Sequence, residues 1–225
     1  MKLKPTTDFL PDQALVNWMQ EIRRTLHRYP ELSYQEHRTC RYISGKLEEL
    51  GISHRAPVAG TGVLGRLGPE ASGGVALRAD IDALPIQEKT GLPFSSRHPG
   101  IMHACGHDGH VAMLLGAAAL LSRIDLPGRV NLIFQPAEEG EGGAKAMIEE
   151  GALEGVDAVF AGHIDRHFRV GEIAVEPGLI SAYTDEFFIE VTGQGGHAAK
   201  PYETVDCLVV ASLLVMSIQT LVSRE

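Results

Sequence analysis

Within one short stretch, Met102-His-Ala-Cys-Gly-His-Asp-Gly-His110, the chain gathers a thiol, a carboxylate and several imidazoles. Cys105 and His107 flank Gly106, so a turn at the glycine can aim both at one point. Thiolate and imidazole suit borderline divalent ions such as zinc, nickel or cobalt. The plain alternative is a polar loop whose histidines cap the next helix. A second signal is Gln135-Pro-Ala-Glu-Glu-Gly140. Adjacent carboxylates point in different directions, so one can bind a metal while the other works as a general base. An acidic helix start, with Glu141 following, is the rival reading. Gly162-His163 ends an apolar run, with His167 as a competitor; a lone histidine there is more often structural than a ligand. Arg78-Ala-Asp-Ile-Asp-Ala-Leu-Pro85 places Asp80 and Asp82 on one face of a strand end. Buried there, they need a cation or hydrogen-bond donors. Gly193-Gln-Gly-Gly-His-Ala-Ala-Lys-Pro201 sets glycines before His197, as for close approach to a ligand or for a simple hairpin turn. None of these segments decides the function singly. Together, cysteine, histidine and glutamate ligands with a spare glutamate point to a metallohydrolase.

The elements that must position these residues alternate. Asp12 to Tyr29 carries Leu15, Trp18, Met19, Ile22 and Leu26 at helical spacing. Ser33 with Glu36 three residues on reads as a capping box opening a second helix, which Gly51 closes. Beyond it, apolar runs over Gly62–Leu67, Val75–Ile81, Val130–Phe134 and Val156–Ala161 predict strands, and His110–Leu121 and Gly143–Glu150 predict helices. That alternation predicts an α/β fold, a mostly parallel central sheet flanked by helices. The glutamate pair then sits just past the C-terminal end of a central strand, where α/β sheets place their sites. After Tyr183 the texture changes: Glu186–Thr192 alternates like a half-buried strand, and Val205–Val222 is apolar on nearly all sides of a helix. Residues 1–182 are expected to form a catalytic metal-binding domain and 183–225 the beginning of a smaller α+β dimerisation domain.

Composition narrows the partners. Among 225 residues, Lys and Arg number 20 against 29 Asp and Glu, a formal charge of −9, which gives no electrostatic reason to bind nucleic acid or an anionic membrane. Apolar residues at 44% and charged residues at 22% exclude disorder and collagen-like repeats. The 3 cysteines, Cys40, Cys105 and Cys207, are too few and too odd for a disulfide framework and fit a reducing, cytoplasmic setting. The N-terminus lacks the pattern of a secretory signal.

The strand-end and glycine-rich segments quoted above resemble the M20 metallopeptidase family, in particular the amidohydrolase branch of hippurate hydrolases, aminoacylases and auxin-conjugate hydrolases. The likeness runs in family order from about Trp18 to the last residue. The resemblance implies a pair of divalent ions per subunit, Mn2+ or Zn2+ with Ni2+ or Co2+ as options. Cys105 then bridges them, and His107, Glu139 and His163 are further ligands. Glu138 becomes the base that deprotonates the attacking water and then protonates the leaving amine. Asp82 orients a ligand, while the part played by Asp80 stays open. His197, on the dimerisation domain, corresponds to a residue that reaches the partner subunit's site in a homodimer and holds the oxyanion. The implied substrate is an N-acyl amino acid; the alternatives are a dipeptidase or carboxypeptidase of the same superfamily, or a truncated, catalytically silent metal-binding chain. The chain departs from the family in Ile164-Asp-Arg-His-Phe168 after His163, in Tyr202 and Cys207, and in lacking a final histidine ligand from a later segment.

Overall fold

A computed structural model describes residues 10–70, 73–140, 142–179 and 187–221. The chain divides at Val170/Gly171 into two compact units. In the first unit, helix α1 (Gln13–Arg28) begins where the Asp12 carboxylate accepts the Leu15 N–H at 2.7 Å and ends at Tyr29, as the spacing predicts. Leu15, Ile22 and Leu26 turn inward from it.

Helix α2 (His37–Glu49) starts later than Ser33, and the capping box does not form. Glu31 caps this helix instead, accepting the N–H groups of Arg38 at 3.0 Å and Thr39 at 2.8 Å. Ser33 and Glu36 are drawn to distant partners. The Ser33 hydroxyl donates to Asp82 at 2.9 Å, and the Glu36 carboxylate accepts from the Thr61 hydroxyl at 2.5 Å and from Ala137 N–H at 2.9 Å. The physical reason is burial. Ala137 and Thr61 are interior residues whose donors need acceptors, whereas the first turn of α2 has Glu31 to serve it.

The sheet has the order β1-β2-β4-β3-β5, with β1 Ser53–Val58, β2 Gly62–Leu67, β3 Gly74–Asp80, β4 Arg129–Gln135 and β5 Ala158–Ala161. Parallel pairing joins β3 to β4 and to β5, whereas β1–β2 and β2–β4 are antiparallel, so the sheet is mixed. Nothing in the periodicity of Ser53–Val58 signals a strand. It is a mostly exposed edge that carries a proline, a residue that edge strands tolerate. Positive φ at Ala59 and Gly60, 51° and 86°, turns it into β2. Alternation along β4 splits the core: Leu132 and Phe134 join the cluster under α1, α2 and α3 (His107–Leu121), while Ile133 joins Met147 of α4 (Gly143–Glu149) on the opposite face. Helices thus cover both faces. The β3/β4 register sets Asp80 opposite Gln135, so the C-terminal ends of both strands finish level.

The second unit contains a bridge between Gln194 and Val205, a short 3-10 turn Pro201–Glu203 and helix α5 (Cys207–Leu221). Val222 of the expected helix lies outside the described residues. So does Glu186 of the expected strand, and residues 187–192 form no strand. An alternating segment becomes a strand only when a neighbour takes its backbone donors and acceptors, and no neighbour pairs with it among the described residues.

Candidate metal centre

The ends of β3, β4 and β5 and the first turn of α3 bring the singled-out residues together. Gly106 holds φ at 92°, a conformation that a side chain would strain, and this turn lets Cys105 and His107 face one space. His107 opens α3 with its side chain 1% exposed. Its Nδ1 donates to the Asp82 carbonyl at 3.0 Å and lies 3.2 Å from the Asp82 carboxylate. An imidazole donating from Nδ1 keeps its lone pair on Nε2. That Nε2 is buried and has no hydrogen-bond partner among the described residues. Around it stand Asp80 Oδ2 at 3.6 Å, Glu139 Oε1 at 3.8 Å and Glu138 Oε2 at 3.9 Å.

His163, just past β5, is arranged alike. Its Nδ1 donates to the Ile164 carbonyl at 2.9 Å, and its Nε2 stands 3.3 Å from Cys105 Sγ. The ligand atoms of Cys105, His107 and His163 lie within 4.8 Å of one another, and so do those of His107, Glu138 and Glu139. His107 belongs to both trios. The turn after β4 separates the two glutamates. Ala137 takes a φ of 49°, and Glu139 N–H donates to Asp82 at 2.9 Å. A side chain on Gly143 would meet the Pro136 carbonyl oxygen at 1.8 Å, so the turn closes only over glycine. The Glu138 side chain is 40% exposed at the mouth of the site, against 22% for Glu139.

The charge balance is strongly negative. Burial, with Glu139, Glu138 and Asp80 nearby, pushes the Cys105 thiol up to about 12. Burial alone would raise Asp80, but the His110 hydrogen bond and the charges of His107 and Arg78 prevail and bring it to about 2. For Asp82, burial is likewise outweighed, by the hydrogen bonds of His107, the Glu139 N–H and Ser33, and its pKa falls. Burial opposes protonation of His107, yet the Asp82 hydrogen bond and the charge of Asp80 raise its pKa. The donor set therefore fits divalent cations: a partnerless buried imidazole nitrogen, a second imidazole and a thiol, with carboxylates in excess. Their arrival would displace protons from the thiol and the imidazole.

Other residues from the motifs go elsewhere. Asp108 turns back to His27 at 2.9 Å and to Arg23 at 3.3 Å. His103 is buried with neither ring nitrogen hydrogen-bonded among the described residues, and burial lowers its pKa to about 4. Asp80, His107 and His110 form a third close trio, but both His110 nitrogens are taken. Nδ1 faces Asp80 at 2.6 Å, and Nε2 accepts the Ile164 N–H at 3.0 Å. His110 is a support for the His163 segment, a role that its residue type alone does not single out. Its spacing on one helix face from His107 was the available signal. Arg78, likewise unassigned, ties Asp80 to Gln135, each at 2.9 Å. His167, the competitor, pairs with Asp165 at 2.6 Å. His197 lies in the second unit; its Nδ1 accepts the Ala199 N–H at 3.1 Å, which leaves Nε2 as the N–H in the neutral ring.

Comparison with known proteins identifies the family. Residues 76–218 match the model of Peptidase family M20/M25/M40. The chain is 50% identical over 220 residues to IAA-amino acid hydrolase ILR1-like 2 of Arabidopsis thaliana, covering 97% of this chain and 50% of that protein. It is 50% identical over 207 residues to N-acetyl-L-cysteine deacetylase of Bacillus subtilis, covering 91% of this chain and 50% of the relative. In structure it resembles the Bacillus subtilis YXEP protein, a dinuclear metal binding peptidase from the M20 family, with a TM-score of 0.71 at 47% identity over 74% of this chain and 48% of that one. The chain thus spans about half the length of the curated relatives it matches. With the family model covering most of its length, this chain belongs to Peptidase family M20/M25/M40.

Proposed function

We propose that the chain carries the metal-binding part of a two-metal amidohydrolase that cleaves N-acyl amino acids to a carboxylate and a free amino acid. The observation that carries this reading is the buried, partnerless Nε2 of His107, shared by two trios of ligand atoms. Cys105, His107, His163 and Glu139 are the residues of this chain that would hold the ions. A divalent ion such as Mn2+ or Zn2+ held there would supply Lewis acidity toward the amide carbonyl and a water. Glu138, the more exposed glutamate, takes the proton of the attacking water and hands it to the departing amine nitrogen. Asp82 fixes the His107 tautomer and, through Glu139 N–H, the direction of the second glutamate. His197 Nε2–H is the donor to the carbonyl oxygen in a partner subunit's site, the homodimer pairing through the second unit, where α5 buries none of its residues.

Relatives named for hydrolysing an amino-acid conjugate and for deacetylating N-acetyl-L-cysteine support the N-acyl amino acid class. The free thiols of Cys40, Cys105 and Cys207 suit a reducing cytoplasm, and no helix among the described residues is long and apolar enough to cross a membrane. The test is to assay these 225 residues, beside a version extended to the length of the relatives, on N-acetyl and N-benzoyl amino acids and on dipeptides, before and after chelation. Chelator-sensitive release of amino acid from the N-acyl substrates is expected. Preference for dipeptides would reassign the enzyme as a peptidase, and turnover indifferent to chelation would remove the metal from the account.

A further inference from the structure

Glu36 is wholly buried, yet the mechanism above does not use it. It sits at the start of α2 without capping that helix, because Glu31 already does so. Its carboxylate instead crosses to the turn that carries the two catalytic-site glutamates: one oxygen accepts Ala137 N–H at 2.9 Å, 101 residues away in sequence, and the other accepts the Thr61 hydroxyl at 2.5 Å. Ala137 is the residue that this turn forces into the left-handed region, at φ 49°. A left-handed residue with a side chain persists only where its surroundings over-determine it. On the other side of the same turn, Glu139 N–H is held by Asp82, which the Ser33 hydroxyl also holds at 2.9 Å. Glu36 is therefore spent on this turn directly, and Ser33 through Asp82.

We infer that Glu36, with Ser33 acting through Asp82, is a positioning residue that clamps the Pro136–Glu139 turn and so sets the divergence of Glu138 and Glu139. The inference rests on the metal reading of the site, and the turn itself can be watched without metal. Both Glu36 oxygens act as acceptors, so what the clamp needs is an acceptor of the right length; burial raises the Glu36 pKa. Gln at this position keeps an acceptor for Ala137 N–H, while its amide can donate to Thr61.

The experiment compares Glu36→Leu, Glu36→Gln and Glu36→Asp with the unaltered protein. Amide hydrogen exchange of residues 137 and 139 is read first, without metal. Co2+ alone is then titrated to read its thiolate charge-transfer band, and turnover is followed in the family-length protein. Glu36→Leu is expected to speed exchange at residue 137 about tenfold and to lower Co2+ affinity or kcat by about 10–100-fold with KM little changed. Glu36→Gln is expected to stay within about threefold of the unaltered protein in all three readings. Glu36→Asp, too short to reach, is expected to behave like Glu36→Leu and replaces it should the leucine variant not fold. Exchange at residue 137 unchanged in the leucine or aspartate variant overturns the clamp, and so does a glutamine variant as impaired as the leucine one. Failure of the unaltered protein to give any Co2+–thiolate band overturns the metal reading instead, with the clamp still judged by exchange.

Discussion

Replacing Asp82 with alanine removes, in one step, the acceptor that His107 Nδ1 faces at 3.2 Å and the acceptor of Glu139 N–H at 2.9 Å. It also strands the Ser33 hydroxyl. Two of these contacts orient groups assigned as metal ligands. A hydrogen bond to a charged group is worth about 1.5–3 kcal/mol, and losing such outer support typically costs about 10–100-fold in metal affinity, or about 1.4–2.7 kcal/mol. The alanine variant should reach the upper part of that range, because His107 keeps only the Asp82 main-chain carbonyl and is free to rotate about it. Asp82→Asn is gentler: its amide oxygen can serve His107 or Glu139 N–H but not both, so a loss of about tenfold is expected. The assay is competition of the protein for Zn2+ against a chromophoric chelator, with circular dichroism and thermal melting to show that each variant is folded. A folded Asp82→Ala protein that binds Zn2+ within about twofold of the unaltered one would refute the reasoning, since the imidazole would then need no orienting acceptor.

Two further predictions follow from the same geometry. Glu138→Gln should keep the metal content near normal while lowering turnover of the family-length enzyme by about 10²–10⁴-fold; loss of metal, measured by elemental analysis, would mean that base and ligand have been exchanged. Away from the centre, His27 is buried between Asp108 at 2.9 Å and Glu88 at 3.3 Å, with Arg23 and His103 also facing this carboxylate cluster. The Asp108 hydrogen bond raises its pKa against the effect of burial. The stabilisation is therefore complete below pH 6.5, the unfolded value, and is lost as pH rises through the folded one. Each tenfold preference of the folded state for that proton is worth about 1.4 kcal/mol. Urea unfolding from pH 6 to 9 should show stability falling in the unaltered protein and a flatter profile in His27→Leu; equal slopes would exclude His27 as the source.

What could be read from the chain alone was set by local physics. The α1 pattern, the runs that became β2 to β5 and the Cys-Gly-His turn each carry their signal within a few residues, and they fold where that signal says. Ser53–Val58 escaped because an exposed edge strand needs no apolar alternation. The capping box misled for a different reason. Ser33 and Glu36 have the local spacing of a cap, but their partners, Asp82, Thr61 and Ala137, come together only through the tertiary fold. The same holds for His110, whose two contacts, Asp80 and the Ile164 N–H, lie 30 and 54 residues away. Residue type and spacing thus pick out the candidate metal-binding groups, whereas the groups that hold them still depend on contacts no short window contains.

The central claim is that Cys105, His107, Glu139 and His163 share a pair of cations while Glu138 stays free. Anomalous diffraction from crystals of the metal-loaded protein tests it most directly. Two peaks are expected, with Cys105 Sγ about 2.3 Å from both, the Nε2 atoms of His107 and His163 and the Glu139 carboxylate in the coordination spheres, and Glu138 outside them. Peaks away from these side chains, or a sphere in which Glu138 takes the place of Glu139, would contradict the account.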